Sequence, residues 1–172
     1  MKVILVLDNI RSCYNVGAIL RTAEGFGVEK VILSGYTPRV HDQNLLPHLR
    51  EKLDKEIGKT ALGAEDMLDI YSSDDIIAEV EKYRSNGWQI VGLENNIKDT
   101  RLHKINEPGL KLNDKVVLIL GEEVHGIDVL LYDEIDLFLE IPMKGRKESF
   151  NVSVAAGIAL YALSSWNAAN VS

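Results

Sequence analysis

A single cysteine, Cys13, stands in a chain of 172 residues. No disulfide can close within the chain, and nothing points to an oxidising compartment. Long apolar runs are also missing. The opening stretch, residues 3–7, stops at Asp8 and is too short for the core of a secretion signal or for a membrane span. The expected compartment is the cytoplasm, with no membrane partner. Positive charge is in deficit: 19 Lys and Arg face 26 Asp and Glu, a net charge of -7. That is the reverse of a protein that binds nucleic acid over its whole surface. Local basic clusters remain, at Arg11 and Arg21, at His41, His48, Arg50 and Lys52, and at Lys144, Arg146 and Lys147. Each is either a solvated face or a source of phosphate contacts.

Several signatures are absent too. Gly25 and Gly27 give a G-x-G after the first helical stretch rather than before it, with no third glycine following, so the dinucleotide fingerprint fails. No Walker loop is present. His41, His48, His103, His125 and Cys13 show no metal-ligand spacing, so no metal is expected. Ser149 lacks the G-x-S-x-G context of a hydrolase nucleophile.

What is present reads as one globular domain over residues 1–172, with 46% hydrophobic and 26% charged residues. The expected chain begins directly with a strand over residues 2–7, leaving no separate N-terminal RNA-binding domain. Residues 14–26 place Val16, Ile19, Leu20, Ala23 and Phe26 at helical spacing, with Gly27 as the residue past the end. Arg21 falls off that apolar stripe and points to solvent or a cleft. Strands follow over 31–33 and 88–93, and a helix over 74–86 with Ser73 as its cap. Residues 36–71 form the least regular third and are the expected place for substrate contacts. The uninterrupted run 116–120 suits a strand buried on both faces of a parallel sheet. Alternating strands and helices make this an α/β protein with helices on both faces. Its ligands should sit beyond the strand ends, in the loops 8–15, 93–96, 121–126 and 142–149.

The passage 139–163 joins a strand ending before Pro142, a charged loop with Gly145, and a helix from residue 152. Only Ser153 and Gly157 interrupt that apolar helix, which predicts burial on most of its circumference and neighbours on several sides. Ser149, Phe150, Asn151 and Ser153 stand where the helix begins, with free backbone N–H groups and a positive dipole end. The same residues suit a polar ligand or, for Ser149 and Asn151, a helix cap.

Three loops in order carry more than any one alone: N-x-x-x-x-x-R at 15–21, G-E-E-x-x-G at 121–126 and I-P-M-x-G-x-x-x-S-F-N at 141–151. With these, and with the connecting residues 59–65, almost the whole chain resembles the SpoU branch of the SPOUT RNA methyltransferases, which act on ribose 2'-hydroxyls of tRNA or rRNA. The resemblance implies a parallel-sheet α/β knot with a C-terminal trefoil knot, a homodimer, and S-adenosylmethionine as cofactor. It implies that Leu93, Gly121, Ile141, Ser149 and Phe150 hold the cofactor. Asn15, Arg21, Glu122 and Asn151 would form the polar active-site group, with Arg21 catalytic. Phe150 stands where the family commonly has Leu and keeps an apolar wall, while His125 in the glycine loop bears on local RNA contacts.

Positioning should do most of the chemical work, since a methyl sulfonium needs no electrophilic activation. Arginine stays protonated, so Arg21 is expected to hold a phosphate and stabilise developing oxyanion charge, with the phosphate or a water taking the proton. Glu122 serves equally as an anchor for its loop. A small-molecule methyltransferase, which the acidic charge would suit, and a non-catalytic RNA-binding relative are the competing functions.

Overall fold

The computed structural model describes residues 1–95 and 97–166. Its centre is a seven-stranded sheet in which every pairing is parallel, in the order β3-β2-β1-β6-β4-β7-β5. The strands are β1 (Lys2–Asp8), β2 (Lys30–Ser34), β3 (Ile70–Ser73), β4 (Gln89–Leu93), β5 (Leu102–Lys104), β6 (Lys115–Leu120) and β7 (Leu137–Glu140). Successive side chains of a strand point to opposite faces, and both faces of this sheet are covered. Val3, Leu5 and Leu7 of β1, with Val116, Leu118 and Leu120 of β6, enter one apolar cluster. Ile4 and Val6, with Val117 and Ile119, enter the other. That is why β1 and β6 read as unbroken apolar runs.

Three helices cover the first face: α1 (Cys13–Gly25), α2 (Pro47–Ala61) and α4 (Val152–Ser164). The second is covered by α3 (Ile76–Ser85) and by a 3-10 stretch, Val129–Glu134. Helix α1 begins at Ser12, whose hydroxyl accepts from the Asn15 backbone N–H at 3.2 Å. It buries Val16, Ile19, Leu20 and Ala23, whereas Phe26, expected in the same stripe, is the C-cap and stays exposed, and Gly27 follows with a φ of 66°. Asn15 therefore lies inside the first turn.

The region expected to be least regular contains α2, a 15-residue helix that packs on α1. Pro47 opens it at a position where a missing N–H costs nothing, and Leu62 closes it in the left-handed conformation. Gly17 permits the contact: a Cβ there would lie 2.2 Å from the Ile57 carbonyl oxygen. Helix α3 is capped by Asp75, which accepts from the Ala78 N–H at 3.1 Å, two residues later than a cap at Ser73 would place it. Ser73 instead accepts from the Asp75 N–H.

Helix α4 begins at Asn151, which accepts from the Ser153 N–H at 2.9 Å. Within the chain it is buried on one face only, through Ala156, Ala159, Leu160 and Leu163. Val154 is 50% exposed and Tyr161 65% exposed, so all-round burial does not occur in one chain. The short β3 and β5 and the 3-10 stretch have no counterpart in the sequence expectations. Asn96, expected in a strand-end loop, lies outside the described residues. No helix of the described residues is long and apolar enough to cross a membrane.

Candidate functional site

A cavity of about 390 Å³ opens beyond the ends of β4, β6 and β7. That volume falls in the range of small-molecule sites, about 300–1,000 Å³. Its walls come from the segments that follow these strands, together with the start of α4. Leu93, Leu120, Ile141, Phe150 and Val152 supply an apolar side, while Glu94, Glu122, Glu123 and Glu148 supply carboxylates.

The 121–126 loop turns back on itself through paired backbone bonds between Glu122 and Gly126, both 3.0 Å. The turn demands glycine twice. A Cβ on Gly121 would sit 2.2 Å from the backbone of Gly126 and Ile127. Gly126 has a φ of 77° and leaves room for the Glu94 carboxylate. Glu94 accepts from the backbone N–H groups of Ile127 and Asn95. Burial pushes its pKa up, and those two bonds act against the rise. The Asn95 amide reaches the Glu148 carbonyl at 3.2 Å, tying the β4 end to the segment ahead of α4.

Two polar groups meet this loop. In the first, the Asn15 amide donates to Glu123 at 2.8 Å, and the Asn151 amide donates to the Asn15 oxygen at 3.2 Å. Residues more than 100 positions apart thereby form one chain of hydrogen bonds, with the Arg11 backbone N–H on the second Glu123 oxygen at 3.4 Å. The second group centres on Glu122. It receives the Arg11 guanidinium at 3.1 Å, the Tyr36 hydroxyl and His125 Nδ1. The Tyr36 and His125 hydrogen bonds hold the Glu122 pKa down to about 2, with help from Arg11 charge. Tyr36 is brought there by a tight junction: Asn9 accepts from the Tyr36 N–H at 3.2 Å, and Asn9 and Gly35 both adopt positive φ.

All five residues expected to hold a cofactor, Leu93, Gly121, Ile141, Ser149 and Phe150, line the cavity. Asn15 and Asn151 are hydrogen-bonded to each other, and the carboxylate that accepts from Asn15 is Glu123 rather than Glu122. Asn151 is also the α4 cap. Arg21 is not brought into this group. It is exposed on α1, outside the cavity lining, and makes no hydrogen bond or ion pair among the described residues. The sequence expectations did not include Glu94, Glu123 or Tyr36 as site residues, and offered Arg11 only as part of a basic cluster, not as a partner of Glu122. For Glu123 the signal is present in the G-E-E-x-x-G loop, which offers two adjacent carboxylates.

Fold and site together define an all-parallel α/β protein with a small-molecule cavity at its strand ends. The pattern of the SpoU rRNA Methylase family matches residues 2–161, and the chain belongs to that family. It is 34% identical over 158 residues to the 23S rRNA (guanosine-2'-O-)-methyltransferase RlmB of Xylella fastidiosa, covering 92% of this chain and 56% of that protein. It is 28% identical over 163 residues to a Staphylococcus aureus protein (strain MSSA476) named for the TrmH family of tRNA/rRNA methyltransferases, covering 94% and 58%. The chain thus spans little more than half the length of these curated relatives. Among solved structures, the AdoMet-bound rRNA methyltransferase of Sinorhizobium meliloti superposes with a TM-score of 0.76 at 24% identity, covering 94% of this chain and 55% of that one. That likeness carries the fold.

Proposed function

We propose that the protein is an S-adenosylmethionine-dependent methyltransferase that methylates a ribose 2'-hydroxyl in tRNA or rRNA. The observation that carries this reading is that two motif loops, 121–126 and 141–151, line one cavity, and that Asn15 of the remaining motif is hydrogen-bonded to Glu123 and Asn151 of those loops. Family membership and the 2'-O-methyltransferase named among the relatives support the same reading.

The residues present fit the cofactor. The apolar side formed by Leu93, Ile141 and Phe150 suits a flat base, and the carboxylates on the cavity wall suit positive charge. When bound, S-adenosylmethionine supplies a methyl group on a positively charged sulfur. In this reading Leu93, Gly121, Ile141, Ser149 and Phe150 hold it and exclude water. Asn15, Glu123 and Asn151 orient the hydroxyl through a fixed set of donors and acceptors.

Arg21 holds the RNA phosphate from outside the cavity. It acts beside the cavity of a second chain in a homodimer, whose contact includes the exposed α4 stripe of Val154 and Tyr161 with the neighbouring Phe26. The C-terminal third is threaded as a trefoil knot, and the enzyme works in the cytoplasm.

The test is transfer of labelled methyl from S-adenosylmethionine to unmodified tRNA and rRNA, with Arg21→Ala alongside and nuclease digestion to locate the label. Ribose-labelled product from the unaltered chain and little from the variant is the expected result. Transfer to neither RNA, with no RNA binding at low salt, would overturn the reading in favour of a small-molecule substrate.

A further inference from the structure

Glu122 is held from three parts of the chain, by Arg11 ahead of α1, by Tyr36 after β2 and by His125 in its own loop. Its side chain is only 8% exposed, whereas that of His125 is 77% exposed, and both line the cavity. We propose that Glu122 and His125 form a carboxylate–imidazole dyad in which His125 Nε2 takes the proton from the ribose hydroxyl that is methylated. The inference rests on the methyltransferase reading above and names the proton acceptor that reading requires.

The tautomer follows from the geometry. His125 Nδ1 faces Glu122 Oε1, and a ring lone pair against a carboxylate oxygen would repel. The proton therefore sits on Nδ1, and Nε2 carries the lone pair. A carboxylate that fixes the imidazole tautomer and stabilises the imidazolium is the established way of preparing histidine as a base. Here the carboxylate is itself fixed, because Arg11 and Tyr36 hold it from other elements.

The other groups are less suited. Arg21 stays protonated and lies outside the cavity. Glu123 already accepts from Asn15 and Arg11, and Glu94 from two backbone N–H groups. Tyr132 is a phenol whose burial pushes its pKa up. Histidine is the side chain most often used for proton transfer of this kind. The groups that share the cavity with His125 are Glu94 at the end of β4, Glu123, Glu148 ahead of α4 and Tyr132, while Arg11 and Tyr36 act on it through Glu122. The carboxylates favour the imidazolium as it forms.

The atoms balance. The hydroxyl O–H bond breaks toward Nε2, the oxygen gains the methyl carbon, and the electrons that bonded the methyl stay with its former carrier. The positive charge ends on the imidazole.

Two measurements test the dyad. The first is single-turnover methyl transfer from pH about 5.5 to 9 for the unaltered chain, His125→Gln, His125→Ala and Glu122→Gln. Expected is a limb that falls with slope one toward low pH in the unaltered chain and is missing in His125→Gln. The variant should be slower by about 10²- to 10⁴-fold at neutral pH, and added imidazole should partly restore His125→Ala. The second is 15N NMR of the imidazole in the free protein, which should give the Nδ1–H tautomer, with that preference lost in Glu122→Gln. An active unaltered chain with His125→Gln within about twofold of it and the same pH limb would overturn the dyad alone. So would an Nε2–H tautomer in the free protein. An unaltered chain that transfers no methyl to any RNA would remove the methyltransferase reading and the dyad with it.

Discussion

Gly121→Ala places one methyl group where the structure has no space. The new Cβ would lie 2.2 Å from the Gly126 carbonyl carbon and the Ile127 nitrogen, and 2.3 Å from the Gly126 oxygen, against 3.4–4 Å for ordinary contact. All three atoms are backbone, so no rotamer change relieves the clash, and the loop must open by roughly 1 Å. Overpacking of this kind costs about 1–3 kcal/mol. Opening also threatens the two 3.0 Å bonds between Glu122 and Gly126, each with a net value of about 0.5–1.5 kcal/mol. The loss is thus about 2–6 kcal/mol, a large part of the 5–15 kcal/mol typical of a domain. Part of it can be met by local opening of residues 121–128 rather than by global unfolding. Urea denaturation reads the global share as a fall in midpoint, of about 1 M or more for a typical urea slope of about 1–3 kcal/mol/M. Amide hydrogen exchange at Glu122 and Gly126 reads the local share. S-adenosylmethionine binding by calorimetry should weaken whichever share dominates. A variant with midpoint, exchange and binding all unchanged would refute the close approach on which the cavity wall depends.

Asn151→Ala removes the α4 cap and the link to Asn15. It should cost about 1 kcal/mol, a few degrees in melting temperature, and an unchanged melt would refute the capping role. Gly17→Ala should destabilise despite the roughly 1 kcal/mol that alanine gains over glycine in a helix. The Ile57 carbonyl at 2.2 Å forces α1 and α2 apart, at about 1–3 kcal/mol plus the 2.9 Å Thr60 bond to the Tyr14 carbonyl. A variant melting above the unaltered chain would contradict this. The Glu122 pKa of about 2 lies below its ordinary value of 4.5, so its stabilisation is present above about pH 4.5 and is lost as pH falls toward 2. Urea midpoints at pH 7 and pH 3 should differ less for Glu122→Gln than for the unaltered chain, and an equal difference would rule out the assignment.

The sequence exposes most clearly what local periodicity governs. Strands β1 and β6, buried on both faces, leave unbroken apolar runs, and α1 leaves its stripe and its glycine stop. Helix α2 was hidden for a physical reason. Pro47 reads as a breaker unless it falls on the first helical position, and only Ile57 and Ala61 are buried in the whole helix, so its amphipathic signal is thin. Strand β5 has three residues, too few to show alternation. The cavity loops were legible as motifs, and the five residues expected at the cofactor all reach the wall. Side-chain partnership across more than 100 residues was not, because spacing along a chain does not say which of two neighbours turns inward.

Glu122 and Glu123 make that distinction concrete. Consecutive residues in extended backbone point to opposite sides, and Glu122 is bridged to Gly126 in such a conformation. One carboxylate must then face α1 and meet Asn15, while the other faces the β2 end and meets Tyr36. A single loop therefore serves two polar groups that cannot share a carboxylate. The same geometry separates Arg21 from Asn15, since six positions on a helix of 3.6 residues per turn leave them about 120° apart. Asn15 turns toward Glu123 and Asn151 within the chain. Arg21, turned away on the exposed side of α1 and outside the cavity lining, has only what approaches from outside to act upon.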